Sequence, residues 1–145
     1  MSIRLIKPGD DLTAVATVMQ QLRPALTVAE IIARMQQQQS EGYQLVCEEQ
    51  DGDIRALAGF VFVRKLAWGK ALYVDDLVTE ETHRSKGAGK RLMDWLKVHA
   101  VENGCEQLHL DSGRQREDAH RFYDREGFES NSLHFVFRVA SSQPS

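Results

Sequence analysis

Cysteine is nearly missing from this chain: two in 145 residues, Cys47 and Cys105, far apart in sequence. So sparse a pair excludes a disulfide framework, and in a reducing compartment both are expected to be free thiols. Histidine and cysteine do not group at metal-ligand spacing, so no metal site is expected. Cationic excess is missing too. A formal charge of −3 leaves no electrostatic footprint for nucleic acid or for an anionic membrane surface. No apolar run approaches the ~20 residues of a membrane span. Met1 to Leu5 lacks the apolar core of a signal peptide, so a cytoplasmic location is the expectation. There is no internal repeat and no linker-like composition. What remains is 42% apolar and 27% charged residues, the profile of one globular domain over residues 1–145.

The most informative stretch runs from Val74 to Leu96. Val74-Asp75-Asp76-Leu77-Val78-Thr79 reads as a strand. Arg84-Ser85-Lys86-Gly87-Ala88-Gly89-Lys90 reads as a glycine-rich loop, and Leu92, Met93 and Leu96 mark one face of a helix. Gly87 and Gly89 fall where that helix begins. Their missing side chains open the backbone to close approach, and the first-turn N–H groups have no intrahelical partner. Those donors, the helix dipole, and Arg84, Lys86 and Lys90 together favour a phosphate. The spacing excludes a nucleoside-triphosphate P-loop, because Arg84 stands where its first glycine is needed and Arg91 where its metal-binding hydroxyl is needed. It also excludes a dinucleotide loop, because Leu92 stands at the third glycine.

The rest of the chain alternates strands and helices. Ile3 to Ile6 reads as a strand. Asp10 or Asp11 caps a helix with Leu12, Val15, Met19 and Leu22 inward, and Thr27-Val28-Ala29-Glu30 is a capping box for a second. Tyr43 to Cys47, Ala56 to Val63 and Leu72 to Thr79 read as an antiparallel meander with turns at Gln50-Asp51-Gly52-Asp53 and Leu66-Ala67-Trp68-Gly69. A helix from Gly89 to about Asn103 leads to a short buried strand, Gln107 to Asp111, which must pair in parallel with its predecessor. A last helix spans Glu117 to Glu126. Phe128 opens a final hairpin, and Leu133 to Val139 alternates as its closing strand.

Two motifs now stand in order. Arg84-Ser85-Lys86-Gly87-Ala88-Gly89 fits Arg/Gln-x-x-Gly-x-Gly/Ala. Ala119-His120-Arg121-Phe122-Tyr123-Asp124-Arg125-Glu126-Gly127-Phe128 fits Ala-x-x-apolar-Tyr-x-x-x-Gly-Phe. Together they resemble the GNAT superfamily of N-acetyltransferases, over essentially the whole chain. The resemblance implies an α/β GNAT fold: a twisted, mostly antiparallel mixed sheet, flanked by helices, whose central parallel pair splays to admit a cofactor. It implies acetyl-CoA as cosubstrate, with Leu77, Val78 and Thr79 pairing with the pantetheine arm. Arg84, Ser85, Lys86, Gly87, Ala88, Gly89 and Lys90 would hold the pyrophosphate, and Tyr123 would be the general acid. The family often carries an Asn seven residues before that tyrosine; Arg116 replaces it, and its role stays open. Arg116 to Tyr123 also resembles bacterial aminoalkylphosphonate N-acetyltransferases. The implied acceptor is a primary amine of a small molecule or peptide, acetylated by direct attack, since neither cysteine lies in a matched motif. A homodimer is compatible with the resemblance. A CoA-binding GNAT module without catalysis, acting as a sensor or partner, is the alternative.

Amine acylation also needs a proton acceptor. Asp75, Asp76 and Asp111 are the candidates, each of which could equally be a solvated or capping carboxylate. Strand alternation sets Asp75 and Asp76 on opposite faces. Asp76, directly before the cofactor-pairing backbone, is the first choice, and Asp111 on the adjoining strand the second.

Overall fold

The computed structural model describes residues 2–80, 87–112 and 116–139. Their order is β1 (Ser2–Ile6), α1 (Thr13–Met19), α2 (Val28–Gln39), β2 (Gln44–Gln50), β3 (Asp53–Lys65), β4 (Gly69–Thr79), α3 (Ala88–Glu102), β5 (Gln107–Leu110) and α4 (Glu117–Arg125). The strands form one sheet in sequence order. All neighbours are antiparallel except β4 and β5, which are parallel. The helix between them makes that pairing possible, because a parallel crossover is too long for a turn.

Strand alternation distributes two cores. Leu45, Cys47, Leu57 and Val78 pack with Val15, Met19, Ile31 and Met35 under α1 and α2. Val46, Ala56, Ala58, Phe60, Leu72 and Val74 pack with Leu92, Met93 and Leu96 under α3. α4 joins this second side, where Phe122 and Tyr123 pack partly buried. The capping box at Thr27 and Glu30 forms as expected, each side chain accepting from the other's backbone N–H. No helix of the described residues is long and apolar enough to cross a membrane.

The structure corrects four expectations. The first helix has Leu12 at its N-cap without a side-chain cap; Asp11 instead accepts from the Thr13 N–H at 2.9 Å, one position outside the helix. β5 is half-buried and exposed at Gln107, not buried. Residues 128–139 contain no strand, so the expected hairpin and its closing strand are not formed; Phe135, Phe137 and Val139 are exposed. Their alternation shows a capacity for a strand, but no strand among the described residues pairs with them.

The fourth correction positions the site. Gly59 pairs with Asp76 while Phe60 pairs with Val74, which leaves Asp75 as the extra residue of a β-bulge. Val74 packs on the α3 side, yet Asp76, two residues on, binds Tyr43 of the other core. Strict alternation therefore fails at Asp75, and the opposition of Asp75 and Asp76 cannot be derived from it.

Candidate active site

The site grows from the point where β4 and β5 part. They pair only from Ala71 with Gln107 to Val74 with Leu110. From Asp76 to Thr79, β4 continues against β3 but has no strand partner on its other side among the described residues. The backbone of Leu77, Val78 and Thr79 thus runs along an open edge, able to receive an extended amide-bearing ligand. Leu77 packs toward α3 and Val78 is buried toward α1 and α2, so this edge is held rigidly from both faces.

That edge leads toward the N-terminus of α3. Gly87 is its N-cap, with φ 83°, and no acidic residue occupies the first turn. A side chain at Gly87 would be strained by that φ and would come within 2.8 Å of the Arg91 guanidinium. A Cβ at Gly89 would stand 3.2 Å from the Thr79 hydroxyl, so glycine lets the helix start abut the strand end. Ala88 is buried, and Lys90 is an exposed cation near Asp94 and Glu126 at 3.3 and 3.6 Å. Arg84, Ser85 and Lys86 lie outside the described residues.

Arg91 anchors this helix start. It donates to Glu48 of β2 from Nε at 2.5 Å and from Nη2 at 3.0 Å. Glu48 is fully buried, and a carboxylate there requires such a pair. Sequence reading passed over this pair. Its signal was a glutamate at an inward position of an apolar strand.

The three carboxylates are held differently. Asp76 accepts from Arg23 at 2.8 and 3.1 Å on one oxygen and from the Tyr43 hydroxyl at 2.7 Å on the other. Burial raises the Tyr43 pKa well above its ordinary value, and the Asp76 charge adds to this, so its hydroxyl remains a donor. A Cβ at Gly59 would overlap the Tyr43 ring, so glycine lets that ring lie across β3. Arg23, in the α1–α2 connection, also donates to the Asp75 carbonyl at 3.2 Å. Arg23 and Tyr43 had no motif to announce them.

Asp111 accepts from the Tyr73 hydroxyl. Burial raises the Tyr73 pKa, and that hydrogen bond raises it further, keeping the phenol protonated. Asp75 has an exposed surface but a crowded setting. Burial, then the charges of Asp76 and Asp111, raise its pKa to about 6 against the opposing pull of Arg23. Of the three it is the carboxylate without a hydrogen-bond donor on its side-chain oxygens among the described residues.

Tyr123 approaches from the other face. It makes edge contacts with Phe122 and Phe128, at ring distances of 5.5 and 5.9 Å. Burial raises its pKa, with Arg116 opposing. Its ring belongs to the α3 side, whereas the Tyr43–Asp76–Arg23 group lies toward α1 and α2. Two shallow depressions elsewhere, one beside Ile6 to Pro8 and one between α1 and the β2–β3 turn, include none of these carboxylates or Tyr123. No group of three or more His, Cys, Asp or Glu among the described residues could hold a metal ion.

With this geometry in place, similarity to known proteins has a structural meaning. Residues 15–128 match the model of the acetyltransferase (GNAT) family. An uncharacterized N-acetyltransferase of Bacillus subtilis, YhdJ, is 38% identical over 123 residues, covering 83% of this chain and 85% of the relative. An aminoalkylphosphonate N-acetyltransferase of Salmonella typhimurium is 34% identical over 63 residues, covering 43% of this chain and 41% of the relative. Among solved structures, an aminoglycoside N-acetyltransferase in complex with CoA superposes with a TM-score of 0.82 at 16% identity, covering 94% of this chain and 93% of the other. This last likeness concerns the fold alone.

Proposed function

Because the chain belongs to the acetyltransferase (GNAT) family and is an acyltransferase, we propose that it moves the acetyl group of acetyl-CoA to a primary amine by direct attack. The observation that carries this reading is the open edge of β4 at Leu77 to Thr79, leading toward the glycine-started α3. The edge supplies backbone donors and acceptors for the pantetheine amides. The helix start supplies unpartnered N–H groups and a positive dipole end for the pyrophosphate. Arg84, Ser85 and Lys86 complete this cradle in the proposal, on the motif alone.

The residues then divide the proton work. Bound acetyl-CoA supplies an activated thioester; the chain must deprotonate the amine and protonate the departing thiolate. An ammonium of pKa ~10.4 is neutral in only about one molecule in 2,500 at pH 7. Asp75 is the best placed acceptor for that proton, directly or through water, because its side-chain oxygens accept no hydrogen bond from the described residues and burial and its acidic neighbours push its pKa up to about 6. Asp111 is the second acceptor. Asp76 was the first choice from sequence; its pairing with Arg23 and Tyr43 better suits a fastening between strand and α1–α2 connection. Tyr123 supplies the proton to the thiolate from the opposite face, and its raised pKa keeps that proton available.

A panel of small-molecule and peptide amines, assayed for CoA thiol release from acetyl-CoA, tests the reading. Release that depends on the amine supports it. Cofactor binding with no turnover on any amine would favour the non-catalytic CoA-binding module instead.

A further inference from the structure

On the sheet face away from α3, three rings form one plate. Trp68, in the β3–β4 turn, stacks on His109 of β5 with ring centres 3.4 Å apart and planes 17° from parallel. Tyr73 of β4 continues the plate, 6.0 Å from Trp68 and 6.3 Å from His109. The parallel register sets Tyr73 beside His109. Leu72 and Val74, which flank Tyr73, pack into the α3-side core, so Tyr73 projects from the other face. All three residues are half-buried, which leaves part of the plate open to solvent.

The inner end of the plate is acidic. The Tyr73 hydroxyl is bound to Asp111, and Asp75 lies close enough for its charge to act on both. Arg23, the cation facing these acids, is already bound to Asp76 and to the Asp75 carbonyl. Ser112, the residue after Asp111, has a buried hydroxyl with no hydrogen-bond partner among the described residues. A buried hydroxyl without a partner is an unused polar group at the same strand end.

Resting on the acetyl-transfer reading above, we propose that this face is the acceptor subsite and that it takes a cationic primary amine carried on an aromatic or apolar skeleton, with no anionic group beside the amine. Asp75 and Asp111 attract the ammonium. The Trp68–His109–Tyr73 plate stacks against the skeleton and adds cation–π attraction. A phosphonate or carboxylate next to the amine meets two carboxylates of its own sign, which is discrimination by repulsion. The chain is thereby distinguished from its aminoalkylphosphonate-acetylating relative, whose similarity covers 43% of this chain.

The test measures binding without acetyl-CoA. 2-Phenylethylamine and 2-aminoethylphosphonate are titrated into the full-length protein near pH 7.5, followed by calorimetry and by tryptophan emission. The proposal expects saturable binding of 2-phenylethylamine with a change in emission, and binding of the phosphonate at least ~10-fold weaker. Asp111→Asn and Asp75→Asn should each weaken the arylalkylamine ~5-fold or more and narrow the gap to the phosphonate. Trp68→Ala, in an exposed turn, should lose the emission change and most of the affinity. Equal or tighter binding of the phosphonate overturns the proposal, as does indifference to all three substitutions. The two readings fail separately. Binding as described but no CoA release with any amine would remove the catalytic reading and leave the subsite. CoA release with anionic amines, insensitive to Asp75 and Asp111, would remove the subsite and leave acetyl transfer.

Discussion

In the proposed reaction two residues carry the proton chemistry, and each permits a clean substitution. Tyr123→Phe deletes one hydroxyl and almost no volume from a site where the ring is packed between Phe122 and Phe128. Turnover should fall ~100-fold or more while acetyl-CoA affinity stays within a few-fold of the parent. Unchanged turnover would leave Tyr123 as a packing residue. Asp75 makes two predictions of opposite benefit. Its pKa is raised to about 6, so the folded state favours the neutral acid. The stability this group contributes is full below its ordinary pKa near ~4 and is lost as pH rises through 6. Asp75→Asn should therefore raise the melting temperature at pH 7.5 and change it little below about pH 3. The same variant should lose activity at pH 7.5, part of which returns at higher pH as more amine is already neutral. In the parent, kcat/KM should fall below about pH 6 as Asp75 takes up its proton. A pH profile with no limb in that region assigns the base elsewhere.

At the scale of elements, the start of α3 depends on one ion pair. Arg91 reaches across to the fully buried Glu48, so the start of the helix is tied to β2. Arg91→Met should destabilise the fold by about 2 kcal/mol, less than the ~3–5 of a fully buried pair, because the Arg91 side chain is 38% exposed. Glu48→Gln in addition should recover part of that loss, as chemical denaturation would report. Elements like this one were legible in outline: helix and strand boundaries followed from periodicity and caps, as at Thr27 and Glu30. The partners were not legible. Glu48 and Arg91 are 43 residues apart, and nothing local says which cation answers a buried acid. The bulge at Asp75 was hidden for a related reason. It is set by pairing with Gly59 and Phe60 across the sheet, and it overturns the facing that alternation assigns. The expected closing strand failed the opposite way: Leu133 to Val139 has the pattern, but without a partner strand among the described residues Phe135 and Phe137 are exposed.

For the molecule as a whole, the sheet divides the work between its faces. Tyr123 comes from the α3 side, while the Asp76–Tyr43–Arg23 fastening and the aromatic plate lie on the other. The gap between β4 and β5 is where both faces meet. Two spaced motifs made the family readable from sequence, because glycines at a helix start and a tyrosine ahead of Gly127-Phe128 are fixed locally. The face that meets the acceptor drew on Trp68, Tyr73 and His109 from three separate segments, and no motif joined them. In the proposed reaction the open edge of β4 and the start of α3 together hold acetyl-CoA. Hydrogen exchange measured with and without acetyl-CoA tests it most directly. Slowed exchange at Leu77 to Thr79 and at Ala88 to Lys90, absent in a folded Gly87→Val protein, is the predicted result. Unchanged exchange at both segments, under saturating acetyl-CoA, would contradict it.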